Sequence, residues 1–195
     1  MNMTGRRYIA YGSNLNRAQM ALRCPDAKVV GTGEIKDYEL LFRGNRNGAV
    51  ATVEPKKGES VPVLIWEISP RDEFNLDRYE GYPTFYYKKD IKVQYKGIRT
   101  GNRRTVTAFA YIMHEERQIG VPSLFYLSTC FDAYDTFCFH KQILVDEIKT
   151  IEGFINTAYK IKHDSKSTAL LQALQNAFQQ LPSIGAQQKA LIFTE

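Results

Sequence analysis

Seven stretches of this chain read as β-strands, and most of the gaps between them hold no helix. They are residues 8–10, 28–30, 38–42, 49–53, 61–68, 85–95 and 105–113, rich in β-branched and aromatic residues and set apart by turns such as the glycine-rich segment 44–48. Parallel strands need a crossover of roughly a dozen residues or more, usually a helix, so a doubly wound parallel sheet is disfavoured. What remains is an antiparallel or mixed sheet, closed or strongly bent. Residues 85–95 and 105–113 alternate well enough to form a hairpin across the basic loop 96–104. Pro62, near the start of the strand that carries the only tryptophan, Trp66, marks an edge or a bulge.

A chain of 195 residues suits one domain, with enough length to bury a core without disulfides or metal. Its start is charged, with Arg6-Arg7, but no apolar run of signal-peptide length follows and nothing approaches a membrane span, so a cytoplasmic location is expected. Cys24, Cys130 and Cys138 are an odd number at no metal-site spacing, which fits reduced thiols. The net charge of +5 comes from 26 basic against 21 acidic residues, with clusters at Lys56-Lys57, Lys88-Lys89 and the loop 96–104. That modest excess reads as solvated turns and argues against nucleic acid as a partner, which would need Lys88, Lys96, Arg99, Arg103 and Arg104 on one face.

At the end of the first strand, Tyr8-Ile9-Ala10-Tyr11-Gly12-Ser13-Asn14-Leu15 runs from apolar residues straight into a glycine and small polar residues. Gly12 can take a positive φ and admits a ligand close to the main chain, while Ser13 and Asn14 add polar side chains and backbone N–H donors. Such a turn can hold a group that carries oxygens. It can equally be a strand followed by a helix cap, with Asn14 or Asn16 capping the segment 17–23.

The segment 69–81 reads as a short helix with legible ends: Ser69 at the N-cap, Pro70 at N1, acidic residues in the first turn and Gly81 at the stop. Glu80 breaks that agreement. It lies in the last turn, where the helix dipole opposes a carboxylate by about 0.3–1 kcal/mol, and Leu76 and Tyr79 carry it toward apolar surroundings. Both effects raise a carboxyl pKa toward the range a general base needs at neutral pH. The alternative is an ion pair of Glu80 with Arg78, Lys88 or Lys89 on the surface.

Other candidates for chemistry are weaker. Ser13 lacks the glycine-x-serine-x-glycine elbow and no histidine is placed for a triad. His114, His140 and His163 read as surface or capping residues. Cys130, Cys138 and His140 lack a fourth ligand and the usual spacing, so no metal is expected.

Together these segments resemble the gamma-glutamylcyclotransferase-like family. The resemblance rests on Tyr8 to Leu15, then Cys24-Pro25-Asp26-Ala27, Gly48-Ala49-Val50-Ala51-Thr52-Val53, Leu76-Asp77-Arg78-Tyr79-Glu80-Gly81, Tyr87, Ala108-Phe109-Ala110-Tyr111 and Pro122-Ser123-Leu124-Phe125-Tyr126. Their order and spacing match from about residue 7 to about residue 140. What the resemblance implies is an α+β fold, a small mixed, mostly antiparallel β-barrel with flanking helices, whose cavity beside the glycine-serine turn holds a gamma-glutamyl group. Carried over by position, Tyr8, Ile9, Ala10, Tyr11, Gly12, Ser13 and Asn14 would line and bind the substrate. Tyr126 would hydrogen-bond the bound glutamyl group, and Glu80 would be the catalytic acid and base.

The implied reaction is an intramolecular aminolysis, in which the alpha-amine of a gamma-glutamyl compound attacks its own side-chain carbonyl. It gives 5-oxoproline and releases an amine or amino acid. No cofactor is implied, because the nucleophile is tethered to its target and the enzyme has only to fold the substrate and move protons. The sequence departs from the family pattern at Val61 to Trp66, where a glycine is common, and at Ala133 and Cys138, which stand at glycine positions. The glycine-serine-asparagine-leucine turn places the chain outside the glutathione-specific branch. A non-catalytic small-molecule or protein binding module on the same barrel is the alternative, and it would show the cavity filled or Glu80 turned to solvent.

The barrel is expected over residues 1–140 and a helical extension, packed on the same domain, over 141–195. Residues 142–162 carry Ile143, Leu144, Ile148, Ile151, Ile155 and Tyr159 at three- and four-residue spacings, one apolar face weakened at Gly153. A second helix over residues 165–181 has Leu170, Leu171, Leu174, Ala177, Phe178 and Leu181 on one side and stops at Pro182. It can add to the core or form a homodimer contact. Residues 186–195 have no assignable element.

Overall fold

β1 (Arg6–Ala10) is short, yet Tyr8, Ile9 and Ala10 are all buried, because this strand closes the sheet on itself. In the computed structural model, which describes residues 5–45 and 47–160, β1 pairs antiparallel with β3 (Asn47–Ile68), from Arg6↔Ile68 to Ala10↔Leu64. It also pairs parallel with β5 (Arg103–Met113), through Tyr8↔Phe109 and Ile9↔Ala110. β3 then pairs with β2 (Lys28–Gly44), β2 with β4 (Tyr86–Gly97), and β4 with β5, all antiparallel. The ring β1-β3-β2-β4-β5 is a closed, mixed, mostly antiparallel barrel, and the fold is α+β as the sequence implied. The two-residue strands β6 (Gln118–Ile119) and β7 (Val121–Pro122) add to β2 and β3.

Two strands are much longer than their sequence pattern suggests. Segments 28–30 and 38–42 join in β2, which is 17 residues long, and segments 49–53 and 61–68 join in β3, with 22. The ladder runs on through charged and glycine-containing stretches because backbone pairing asks nothing of the exposed side chains. A bulge between Lys36 and Tyr38 absorbs the extra residues of β3: Asp37 takes a φ of 59° and its carboxylate accepts the Gly58 N–H at 2.9 Å. Pro62 lies opposite Glu34 in this ladder, beside the bulge. Where β2 crosses β4, a Cβ on Gly31 or Gly33 would lie 2.3 Å from the carbonyl oxygens of Lys96 or Gln94, so the close approach that shuts the ring requires glycine.

Local signals set the helices that flank the barrel. α1 (Arg17–Arg23) is capped by Asn16, whose side chain accepts the Ala18 and Gln19 N–H groups, and Met20 anchors it in the core. α2 (Pro70–Glu80) has Ser69 as its N-cap in a reciprocal box with Asp72, and Gly81 in the left-handed region as its C-cap. α3 (Leu124–Thr136) is capped by Ser123 and buries Leu127, Cys130, Ala133 and Tyr134. α4 (Gln142–Lys160) buries Leu144 and Ile151, and its Glu147 accepts the Phe42 N–H at 3.3 Å.

One compact unit covers Met1–Ile151 and a second begins at Glu152. The helix expected over residues 165–181, the tail 186–195 and the homodimer contact assigned to this region lie outside the described residues, as do the side chains of Ile155 and Tyr159. No helix among the described residues is long and apolar enough to cross a membrane.

Candidate active site

Beyond β1 the chain makes a single 3-10 turn, Ser13–Leu15, closed by hydrogen bonds from the Leu15 N–H to the Gly12 carbonyl and from the Asn16 N–H to the Ser13 carbonyl. Beside it opens a cavity of about 300 Å³. Tyr8, Tyr11, Gly12, Ser13, Asn14, Glu80 and Tyr126 all line it, so the structure brings together seven of the nine residues singled out from sequence. Ile9 and Ala10 are not among the lining residues. Both are buried at the C-terminal end of β1, where Ile9 points to the face opposite Tyr8 and the small Ala10 side chain, on the same face as Tyr8, is covered by its neighbours. The sequence assigned no role to Tyr86 and Tyr111, which also form its walls, although Tyr111 ends one of the motif segments.

Gly12 does not use the positive φ that the sequence reading allowed it. Its φ is −114°, a value open to any residue, so no positive φ is involved. A Cβ there would lie 2.7 Å from the Tyr126 hydroxyl and 3.1 Å from the Ala51 Cβ. The glycine makes room for Tyr126 against the turn.

Glu80 is the last residue of α2, and its side chain turns inward. Asn14 Nδ2 donates to Glu80 Oε1 at 2.7 Å and to the Tyr8 hydroxyl at 2.8 Å. On the far side of the same amide, the Arg23 guanidinium donates to Asn14 Oδ1 and stacks on Tyr79, its carbon 3.8 Å from the ring centroid. Burial pushes the Glu80 carboxyl from 4.5 up to about 7, outweighing the Asn14 hydrogen bond and the Arg23 charge, which both pull it down. The surface ion pairs weighed as an alternative are not made. Lys88 is held by Glu73 at 2.6 Å and Asp77 at 2.7 Å, Lys89 faces the Tyr38 ring and Arg78 is exposed.

The tyrosines frame the cavity more than they fill it. Tyr11 donates its hydroxyl to the Tyr111 carbonyl, and Tyr86 donates to the Ala51 carbonyl at 2.9 Å. The Ala51 N–H donates to the Tyr126 hydroxyl at 3.0 Å, so Tyr126 braces β3. Tyr111 donates to Asp77 at 2.6 Å and ties the barrel to α2. Burial raises the phenols of Tyr8, Tyr11, Tyr86 and Tyr126 well above their ordinary value, which keeps them neutral hydrogen-bonding groups near pH 7. The site therefore offers one carboxyl that changes charge near neutrality in a ring of neutral phenols.

The remaining candidates stay outside this chemistry. Ser13 Oγ accepts from Arg23 at 3.4 Å, and neither described histidine lies in the cavity. His114 contacts the Pro83 carbonyl at 2.9 Å, His140 is exposed, and His163 lies outside the described residues. Burial pushes the Cys24 and Cys130 thiols up to about 12, Cys138 is exposed, and no cluster suited to a metal occurs among the described residues. Lys88, committed to Glu73 and Asp77, does not join a free basic face.

Residues 8–128 match the model of the family described as Gamma-glutamyl cyclotransferase, AIG2-like, and the chain belongs to that family. Human Gamma-glutamylcyclotransferase is 26% identical over 113 residues, covering 54% of this chain and 58% of that protein. The mouse protein of the same name is 27% identical over 113 residues with the same coverage. The match thus spans little more than half the length of these relatives. A solved structure named Gamma-glutamyl cyclotransferase superposes with a TM-score of 0.64 at 22% identity, covering 75% of this chain and 88% of that one, which speaks to the fold.

Proposed function

We propose that the chain is a gamma-glutamylcyclotransferase-type enzyme that converts a gamma-glutamyl compound to 5-oxoproline and a free amine or amino acid, with Glu80 as general acid and base. The observation that carries this reading is the Glu80 carboxyl, held on the cavity wall by Asn14 and raised to about 7 by burial. An alpha-ammonium cannot attack until it loses a proton, and a carboxylate of that pKa accepts one near neutrality. The freed nitrogen attacks the side-chain carbonyl carbon, closing the ring and placing a negative charge on the carbonyl oxygen. Glu80 then returns its proton to the leaving nitrogen, the old C–N bond breaks and the carbonyl re-forms; the ring nitrogen gives up its second proton to the Glu80 carboxylate, which passes it to the released amine, so that a neutral lactam and a protonated amine leave.

Donors for that oxygen and for the substrate carboxylate are at hand. The Tyr8 hydroxyl oxygen accepts from Asn14, which leaves its hydrogen available to donate, and Gly12, Ser13 and Asn14 line the same cavity. The chemistry needs no cofactor, since the nucleophile comes with the substrate. An open cavity with Glu80 turned into it supports an enzyme over a binding module on the same barrel. The unpaired thiols fit a reducing compartment, and a cytoplasmic location is part of the proposal. The test is to incubate the pure protein with gamma-glutamyl dipeptides and gamma-glutamylamines and to look for 5-oxoproline. Tight binding of these compounds with no turnover of any would favour the binding module.

A further inference from the structure

We propose that Arg23 is a positioning residue for Glu80: its guanidinium holds the Asn14 side-chain amide in the one orientation that directs the amide nitrogen at Glu80 and Tyr8. The inference rests on the reading of Glu80 as general acid and base, and it follows from the donors and acceptors around one buried amide. Asn14 is 5% exposed. A guanidinium can only donate, so Arg23 Nη1 requires the oxygen of the amide to face it. An ionised carboxylate can only accept, so Glu80 requires the nitrogen. The two demands are met by the same rotamer, with the second amide hydrogen on the Tyr8 hydroxyl at 2.8 Å.

Arg23 is itself held for this task. Its Nη2 donates to Gln19 Oε1 at 2.8 Å, one turn back on α1, and its plane lies over the Tyr79 ring. The helix that carries it is anchored independently, by the Asn16 cap and by the buried Met20 and Cys24, so the guanidinium is not what docks α1. Without Arg23, the amide of Asn14 is free to turn its oxygen toward Glu80. That contact is favourable only when the carboxyl is protonated, so the base form of Glu80 loses its donor together with a nearby cation.

The other titratable groups facing Glu80 do not compete for this role. Tyr8 of β1, Tyr11 beyond it, Cys24 after α1, Tyr86 of β4 and Tyr111 of β5 are all shifted upward by burial and stay neutral near pH 7. Tyr126 of α3, which lines the same cavity, is likewise neutral. Among the described residues, Arg23 is the one cation that acts on the Glu80 carboxyl.

The experiment follows the Glu80 carboxyl carbon by NMR in protein labelled with 13C-glutamate, the signal being identified by its loss in Glu80→Gln. Its titration is compared in the wild type, Arg23→Met and Arg23→Lys. The midpoint should rise by about one pH unit in Arg23→Met, in line with the loss of an opposite charge and a hydrogen bond, and by less in Arg23→Lys, which keeps a charge without the forked donors. The acidic limb of kcat/KM for 5-oxoproline formation should move with it, giving roughly tenfold lower kcat/KM below the limb and near-normal values well above it. A loss that is the same at every pH, with the Glu80 midpoint unmoved, would make Arg23 merely structural and overturn the proposal. If Arg23→Met does not fold, an unmoved midpoint in Arg23→Lys overturns it equally. A midpoint that moves in a protein making no 5-oxoproline leaves Arg23 as the positioning residue and removes the cyclotransferase reading instead.

Discussion

Replacing Glu80 with glutamine should abolish 5-oxoproline formation while making the protein more stable in alkaline solution. The Glu80 carboxyl shifts from 4.5 to about 7 on folding, so the folded chain holds its proton more tightly than the unfolded chain does. A raised carboxyl pKa costs nothing below the unfolded value, where both states are protonated. Stability is lost as pH rises from about 4.5 to about 7, and the full cost, present above 7, is about 3 kcal/mol at roughly 1.4 kcal/mol per pH unit. Glutamine is neutral throughout and keeps an oxygen that can accept from Asn14 Nδ2. Glu80→Gln should therefore match the wild type near pH 4.5 and exceed it by about 1–3 kcal/mol at pH 8, several degrees in Tm for a chain of this size. It cannot take the ammonium proton, so activity should fall by at least roughly 10²–10⁴-fold. Thermal melts of both proteins from pH 4.5 to 8, with a 5-oxoproline assay alongside, test both halves. A Tm difference that does not change with pH would mean that the carboxyl is not desolvated, and retained activity would remove Glu80 from the chemistry.

Gly12→Ala should lower kcat/KM by pushing Tyr126 into the cavity, since the new Cβ would lie 2.7 Å from its hydroxyl; unchanged kinetics would show that Tyr126 gives way freely. Tyr126→Phe should destabilise the fold by about 1–3 kcal/mol in urea titration, because it strips the partner from the N–H of buried Ala51. A weaker Michaelis constant at full stability would place the hydroxyl on the ligand alone. Cys138→Gly should raise stability by about 0.5–1 kcal/mol, since Cys138 sits at a φ of 54° where a β-carbon is strained; a loss of stability would show that its side chain contributes contacts worth more than the strain.

Much of the site was legible before any coordinates, and the legible part is local. The ends of α2 follow from Ser69, Pro70, Asp72 and Gly81, which cap or start the helix through groups a few residues away. That placed Glu80 in the last turn, against the dipole. It was the resemblance to the cyclotransferase family, and no local signal, that put the 12–14 turn and Tyr126 in the same set as Glu80. Reading the cap of α1 left two asparagines open, and the structure divides the work: Asn16 caps the helix while Asn14 turns inward to Glu80. α3, to which the sequence assigned no helix, becomes one around a buried face of Leu127, Cys130 and Tyr134 supplied by the barrel.

By itself, then, the sequence determined the type of sheet and the helix that bears the carboxylate, because strand alternation and helix capping are written in neighbouring residues, while the grouping of segments around the cavity was what the family resemblance implied. Only the tertiary structure decided the lengths of β2 and β3, the burial of Ile9 and Ala10 away from the cavity, and the convergence of Arg23, Asn14, Tyr8 and Glu80 on one amide. Those outcomes depend on ring closure, which sets Tyr11 against the carbonyl of Tyr111, 100 residues on, and Asn14 against Glu80, 66 residues on. No local period encodes which side chains meet across such distances; the pairing of β1 between β3 and β5 does.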